Sequence, residues 1–339
     1  MPDRTGLLAE PDGAAAQRDR RRYRPGALEL LTAGLVVLLL GQRPLAALIE
    51  GNEAVQTGAT IFVSIVVQAL PFLVLGVLLS GAIAAFVPTS FWDKALPRRK
   101  VLAVPVASAA GVVLPGCECA SVPVAGGLMA GGVTPAAALA FLLSAPAVNP
   151  VVLVSTYVAF PGNPQLVWAR LIASLAVAMT MGWLWLRLGR ERWLRIPRRD
   201  HLVGVNRRHT FRLTVTHDFL HAGGFLVVGG LTAAALNVVV PQQWLQALAD
   251  KPLLSVLGLA ALAVVLAICS EADAFVAASL TQFSLTARLA FLVVGPMVDV
   301  KLIVLQSGTF GRAFAARFAP ATFVVAVGFS VLVGWWLLT

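Results

Sequence analysis

Leu114-Pro115-Gly116-Cys117-Glu118-Cys119-Ala120-Ser121 sets two thiols and a carboxylate at a Pro-Gly break inside an otherwise apolar region. Ionisable groups in hydrocarbon are costly and mark a pathway or a binding site by default. A broken helix at membrane depth needs protein or a water-filled cavity to satisfy the freed backbone groups. The octapeptide therefore predicts a chain folded within a bilayer around a polar interior.

Composition agrees. The 339 residues are 58% hydrophobic and 12% charged, with a mean hydropathy of +0.84, where a soluble domain carries about 25% charged residues. Apolar runs at Ile61–Val87, Ala136–Phe160, Gln165–Leu188, Thr214–Val240 and Pro320–Leu338 each approach the roughly 20 residues that cross a bilayer. The expected fold is all-α, a polytopic transmembrane bundle. No apolar core and small-residue cleavage site follow a short basic head, so residues 1–26 read as a disordered basic tail rather than a signal peptide.

The net charge of +10 could suggest a nucleic-acid partner, but its distribution argues for the bilayer instead. Six basic residues precede Ala27, four lie in Lys94–Lys100, nine in Arg187–Arg212, and Arg312 and Arg317 form a further group. Placing all four groups in the cytoplasm satisfies the positive-inside rule and orients the chain. Domains follow: 27–59 as an extra N-terminal transmembrane helix and external loop, 60–188 as a first transmembrane repeat, 189–213 as a cytoplasmic Arg-rich linker, and 214–339 as a second repeat. Segments 101–131 and 253–283 are expected to be hairpins, either re-entrant or fully spanning.

Three blocks support the repeat. Phe72-Leu73-Val74-Leu75-Gly76 matches Phe225-Leu226-Val227-Val228-Gly229, and Cys117-Glu118-Cys119-Ala120 faces Cys269-Ser270-Glu271-Ala272. Leu139-Ala140-Phe141-Leu142 with Pro146 and Asn149 matches Leu289-Ala290-Phe291-Leu292 with Pro296 and Asp299. The offset stays at about 150 to 153 residues. The first copy begins outside and the second inside, which makes the repeats inverted, a design shared by secondary transporters.

The candidate substrate-binding residues are Cys117, Cys119, Glu118, Asn149, Cys269, Glu271 and Asp273. Cys117 and Cys119 are the candidate metal ligands, since thiolates suit soft metals and metalloids. In an extended turn they would face one cavity with Glu118 turned away. Asp299 and Lys301 are candidates for coupling or counter-charge, either paired with each other or with Lys301 neutralising Glu271 or Asp273. His217 and His221, four apart on one helix, could bind metal but read more simply as solvated interfacial residues. Gln68 could join helices by hydrogen bonding, and Gly126 and Gly127 suit close packing. No phosphate-cradling loop and no activated nucleophile occurs, so an enzyme is not expected. No cofactor is expected either, a bound metal being cargo.

Pro115-Gly116-Cys117-Glu118-Cys119, the following Val122-Pro123, and Phe141–Pro150 ending in Ala145-Pro146-Ala147-Val148-Asn149-Pro150 resemble the predicted-permease family that includes organoarsenical efflux permeases. The similarity runs from about Ile61 to the C-terminus. It implies export of thiophilic trivalent arsenicals, with Cys117, Cys119 and Asn149 as the family's site positions. Many relatives carry Cys-Ser-Cys; the Cys-Glu-Cys found here is closer to a branch typically encoded beside a small membrane-associated protein. That difference makes a metal cation a rival cargo and a small partner protein an expected associate. The leading expectation is a secondary transporter of a thiophilic metal or metalloid. Its rivals are a carrier of an anion or small organic solute with the cysteines incidental, and a non-transport subunit working with a partner.

Overall fold

Helix α1 spans Glu53–Phe86, 34 residues, or about 50 Å at 1.5 Å per residue, so it overshoots the hydrocarbon. The computed structural model describes residues 53–87, 91, 97, 99–112, 118–196, 207–239 and 251–338. The tail 1–26, the expected extra helix and most of the loop in 27–59, Cys117, and residues 197–206 of the linker lie outside them. Among the described residues all regular structure is helical.

The first half continues with α2 (Lys100–Ala110), α3 (Glu118–Ala130), α4 (Pro135–Val148), α5 (Pro150–Ala159) and α6 (Gln165–Leu188). After a short turn at Glu191–Trp193, the second half runs α7 (Arg207–Val239), α8 (Pro252–Leu266), α9 (Asp273–Ser279), α10 (Leu285–Val294), α11 (Val300–Phe310) and α12 (Arg312–Leu337). Among the described residues, five stretches are long and apolar enough to cross a membrane: Glu53–Phe86, Pro135–Ala159, Gln165–Leu188, Arg207–Ala235 and Arg312–Leu337. The protein is thus a multi-pass membrane protein.

Two helix starts differ from expectation. α1 begins at Glu53, inside the stretch read as external loop, because only Gly58 interrupts helix-compatible sequence before Ile61. α12 begins at Arg312, leaving Pro320 within the helix. Gly311, with φ 99°, makes the break before α12, upstream of the apolar run Pro320–Leu338; proline inside a membrane helix is tolerated where neighbours compensate the lost hydrogen bond.

The helices of residues 54–339 form one unit. α4 is buried along nearly its whole length and packs against α2, α3 and α6; α10 likewise packs against α8, α9 and α12. The small side chains of α4 permit this. A Cβ on Gly182 of α6 would come within 2.6 Å of Val104 and 3.1 Å of Ala140, so the three helices meet almost backbone to backbone. Across the halves, α6 packs on α12, α3 on α11, and α5 on α9. Corresponding long helices run antiparallel. The end of α1 meets the start of α7 through Phe86 and Phe211, 6.2 Å apart, while Gly58 near the start of α1 faces Val238 near the end of α7. Trp185, near the end of α6, stacks edge-on against Phe314 at the start of α12, at 5.4 Å.

Candidate functional site

Four chain interruptions position the polar interior. The first precedes α3, whose first residue is Glu118. The second is Ala267–Ala272, between α8 and α9. It opens with Ala267 in the left-handed conformation, φ 49° and ψ 42°, a geometry that disfavours residues with a Cβ. The third is Asn149, which ends α4 and caps α5. Its Oδ1 accepts from the Val152 N–H at 3.0 Å, and its Nδ2 donates to the Ala145 carbonyl at 3.3 Å. The fourth is Gly295–Asp299, where Asp299 caps α11 by accepting from the Leu302 N–H. Asn149 and Asp299, paired in the sequence repeat, therefore do the same local work. Each satisfies an orphan amide at a helix start.

The two shortest ion pairs of the interior cross between the halves. Lys301, in the first turn of α11, donates to Glu118 Oε1 at the start of α3 and to the Ala267 carbonyl at 3.2 Å. Asp299 Oδ2 lies 3.7 Å from the same ammonium. The second pair joins α6 to α9: Arg170 Nη2 donates to Asp273 Oδ2 at 2.9 Å and to the Ser270 carbonyl at 3.2 Å. Arg170 Nη1 donates to Thr156 Oγ1 on α5 at 2.7 Å, and that hydroxyl donates to the Val152 carbonyl. All four charged side chains are at most 3% exposed. Each half thus supplies one cation and one carboxylate to the other.

The expected alternatives for Lys301 resolve by geometry. It sits beside Asp299 but its closest carboxylate is Glu118, and Asp273 is taken by Arg170. Glu118 does not turn away from the interior, because residues 118–121 are helical rather than extended. Cys119 and Cys269 are both buried, and both thiols lie within electrostatic reach of Lys301. Glu271 is half-buried in the second interruption, close enough to feel the charges of Glu118, Arg170 and Lys301. Glu118 Oε2, Asp273 Oδ1 and Ser270 Oγ are buried with no hydrogen-bond partner among the described residues. Counting Glu118, Glu271, Asp273 and Asp299 against Lys301 and Arg170, the interior holds more carboxylates than cations.

Other candidates fall elsewhere. Gln68 is exposed on α1, and His217 and His221 stack, 5.9 Å between centroids, on the exposed face of α7. Among the described residues no three His, Cys, Asp or Glu are grouped to hold a metal. Gly127 is a close-packing site, since a Cβ there would lie 2.8 Å from Ser80 Oγ on α1. That serine also donates to Asp218 of α7 at 2.9 Å. Arg170 is the residue that motif reading does not reach, although one signal was available. It is the only charge between Gln165 and Leu186, five residues into a span, where an unpaired guanidinium would be costly.

Between α1, α3, α4 and α7 lies a cavity of about 530 Å³, lined by Leu75, Gly76, Leu79, Ala120, Ser121 and Phe141 among others. Its inner wall, Ala120 and Ser121, is less than one helical turn from Glu118.

Residues 55–335 match the family of proteins described as predicted permeases. The Bacillus subtilis (strain 168) protein called UPF0718 protein YcgR is 35% identical over 286 residues, covering 81% of this chain and 96% of that protein. A Streptococcus mutans serotype c protein, named as a subunit of a two-component membrane permease complex, is 31% identical over 283 residues, covering 81% and 94%. No solved structure matches the chain.

Proposed function

The chain belongs to the predicted-permease family and is a membrane permease, not an enzyme; from that premise we propose that it carries a thiophilic metal or metalloid species by alternating access between two inverted repeats. One observation carries this reading: the two buried ion pairs cross between the halves, each joining a carboxylate at a chain interruption (Glu118, Asp273) to a helix of the other half, with the Cys119 and Cys269 thiols within electrostatic reach of Lys301. Charge that each half takes from the other depends on how the halves are disposed, so rocking one against the other remakes the electrostatics of the interior. Antiparallel α1 and α7, and the reciprocal packing of α3 on α11 and α5 on α9, fit a two-fold relation in the membrane plane.

In this mechanism Cys117 and Cys119 bind the cargo through sulfur, with Asn149 and Cys269 lining the same chamber. An entering cation competes with Lys301 for Glu118. The displaced ammonium remains balanced by Asp299 and the Ala267 carbonyl, so no bare charge forms. Glu271 and Asp273 provide the remaining negative potential, and Arg170 holds Asp273 while the cargo is absent. An anionic cargo is disfavoured because Lys301 and Arg170 are already engaged by carboxylates. By likeness to the Streptococcus relative, a second membrane-associated protein completes the permease. The basic helix ends face the cytoplasm.

The test is accumulation of zinc, copper and trivalent arsenicals in cells expressing the native chain, Cys117→Ser/Cys119→Ser, or Glu118→Gln at matched membrane levels. Loss of the transport difference in the thiol variant supports sulfur ligation. Equal accumulation in the native and thiol-variant cells, with transport of any of these intact, removes the cysteines from the mechanism.

A further inference from the structure

A second cavity, of about 840 Å³, lies at the basic end of the bundle, away from the ion pairs. It is bounded by the starts of α2 and α4, the end of α6 and residues 194–196. Lys100 and Arg195 line it together with Thr134, Trp185, Leu186 and Ile196. Neither cation forms an ion pair with a described residue, and the described lining residues include no carboxylate. Two helices begin here, so their positive ends add to the side-chain charge. At α4, Thr134 makes no side-chain cap and Pro135 occupies the first turn. Thr134 Oγ1 is buried and has no hydrogen-bond partner among the described residues.

The wall is held in place. The Arg195 N–H donates to the Phe310 carbonyl at 2.9 Å, and the stem of Arg195 lies against Gly311. Trp185 is fixed by Phe314 and Phe318. A site with two cations, an unused hydroxyl and no acidic group among the described lining residues selects an anion. Its volume is within the roughly 300–1,000 Å³ of ligand pockets and leaves room, beyond a phosphate, for the apolar contacts that Leu186, Leu194 and Ile196 offer. Tryptophan at a helix end marks the level of the headgroups, and basic pockets between membrane helices take up anionic lipid heads. We propose that this cavity binds the phosphate of an anionic phospholipid, with Lys100 and Arg195 contacting the phosphate and Thr134 hydrogen-bonding the headgroup.

The experiment compares the full chain with Lys100→Gln/Arg195→Gln and with the charge-preserving Lys100→Arg/Arg195→Lys. Each is purified in detergent and titrated with phosphatidylglycerol, phosphatidylcholine or inorganic phosphate, with bound molecules counted by native mass spectrometry. The native chain is expected to hold phosphatidylglycerol over phosphatidylcholine. The Gln variant should bind it about tenfold more weakly with an unchanged melting temperature, and the charge-preserving variant should recover binding. Equal phosphatidylglycerol binding by the native chain and the Gln variant overturns the proposal, as does no preference over phosphatidylcholine. Saturable phosphate binding without lipid retention overturns the lipid assignment in favour of a free anion.

Discussion

Arg170→Met tests whether the second ion pair is a structural tie between the halves. The substitution keeps an unbranched stem in a well-packed helix but deletes three hydrogen bonds, to Asp273, Ser270 and Thr156. Asp273 is then left buried, with Oδ1 already lacking a partner and Oδ2 losing its guanidinium. Removing one member of a buried pair typically costs about 3–5 kcal/mol. At about 2–4 °C per kcal/mol for a chain approaching this size, the apparent melting temperature should fall by roughly 6 to 20 °C. Arg170→Met/Asp273→Leu deletes both charges and should recover most of that loss, since replacing a whole pair with apolar groups is often neutral or stabilising. The assay is thermal unfolding of detergent-purified native, single and double variants, read by loss of the monodisperse gel-filtration peak at a fixed heating time. A double variant that melts as low as Arg170→Met refutes the argument: the stranded Asp273 charge would not be the source of the loss, and Arg170 would act through packing alone.

Lys301→Met should lower the melting temperature more than Glu118→Gln, because it strands both Glu118 and Asp299 whereas the glutamine leaves Lys301 with Asp299 and the Ala267 carbonyl; the reverse order in the same melts would contradict the assignment. Gly76→Ala places a Cβ 2.6 Å from the Ala120 backbone, and overpacking of this kind costs roughly 1–3 kcal/mol. Gly162→Ala, with nothing within 4 Å, should melt like the native chain. Asn149→Ala removes the bond to the Val152 N–H and should cost about 1 kcal/mol, visible as a small melting shift with the protein still inserted.

The apolar runs and three of the four interruptions were legible because each rests on local chemistry; Ala267–Ala272 has no Pro or Gly and was legible only through its repeat counterpart at Cys117–Ala120. Twenty apolar residues can only span or be buried, and Pro-Gly, Asn-Pro and Gly-Pro steps end helices wherever they occur. Asn149 and Asp299 were recognisable as counterparts because a capping residue serves its own helix. The pairing of charges was not legible. Glu118 and Lys301 are 183 positions apart and Arg170 and Asp273 are 103 apart; nothing local favours those partners over nearer ones such as Asp299. Arg170 was masked by its setting, a single cation in a long apolar helix. The orientation of Glu118 depended on whether residues 118–121 were extended or helical, and Pro115-Gly116 marks the break without fixing where the next helix starts.

The exchange of charges between α1–α6 and α7–α12 also bears on how the protein is made. When α1–α6 have left the ribosome, Glu118 and Arg170 are in the bilayer while Lys301 and Asp273 are still untranslated. The nascent half must wait with those groups hydrated, snorkelling or held by the insertion machinery. Final burial of its polar interior is therefore post-insertional, triggered by arrival of the C-terminal half. Co-expressed fragments divided within 197–206 should then rescue each other from proteolysis, whereas either one alone is degraded.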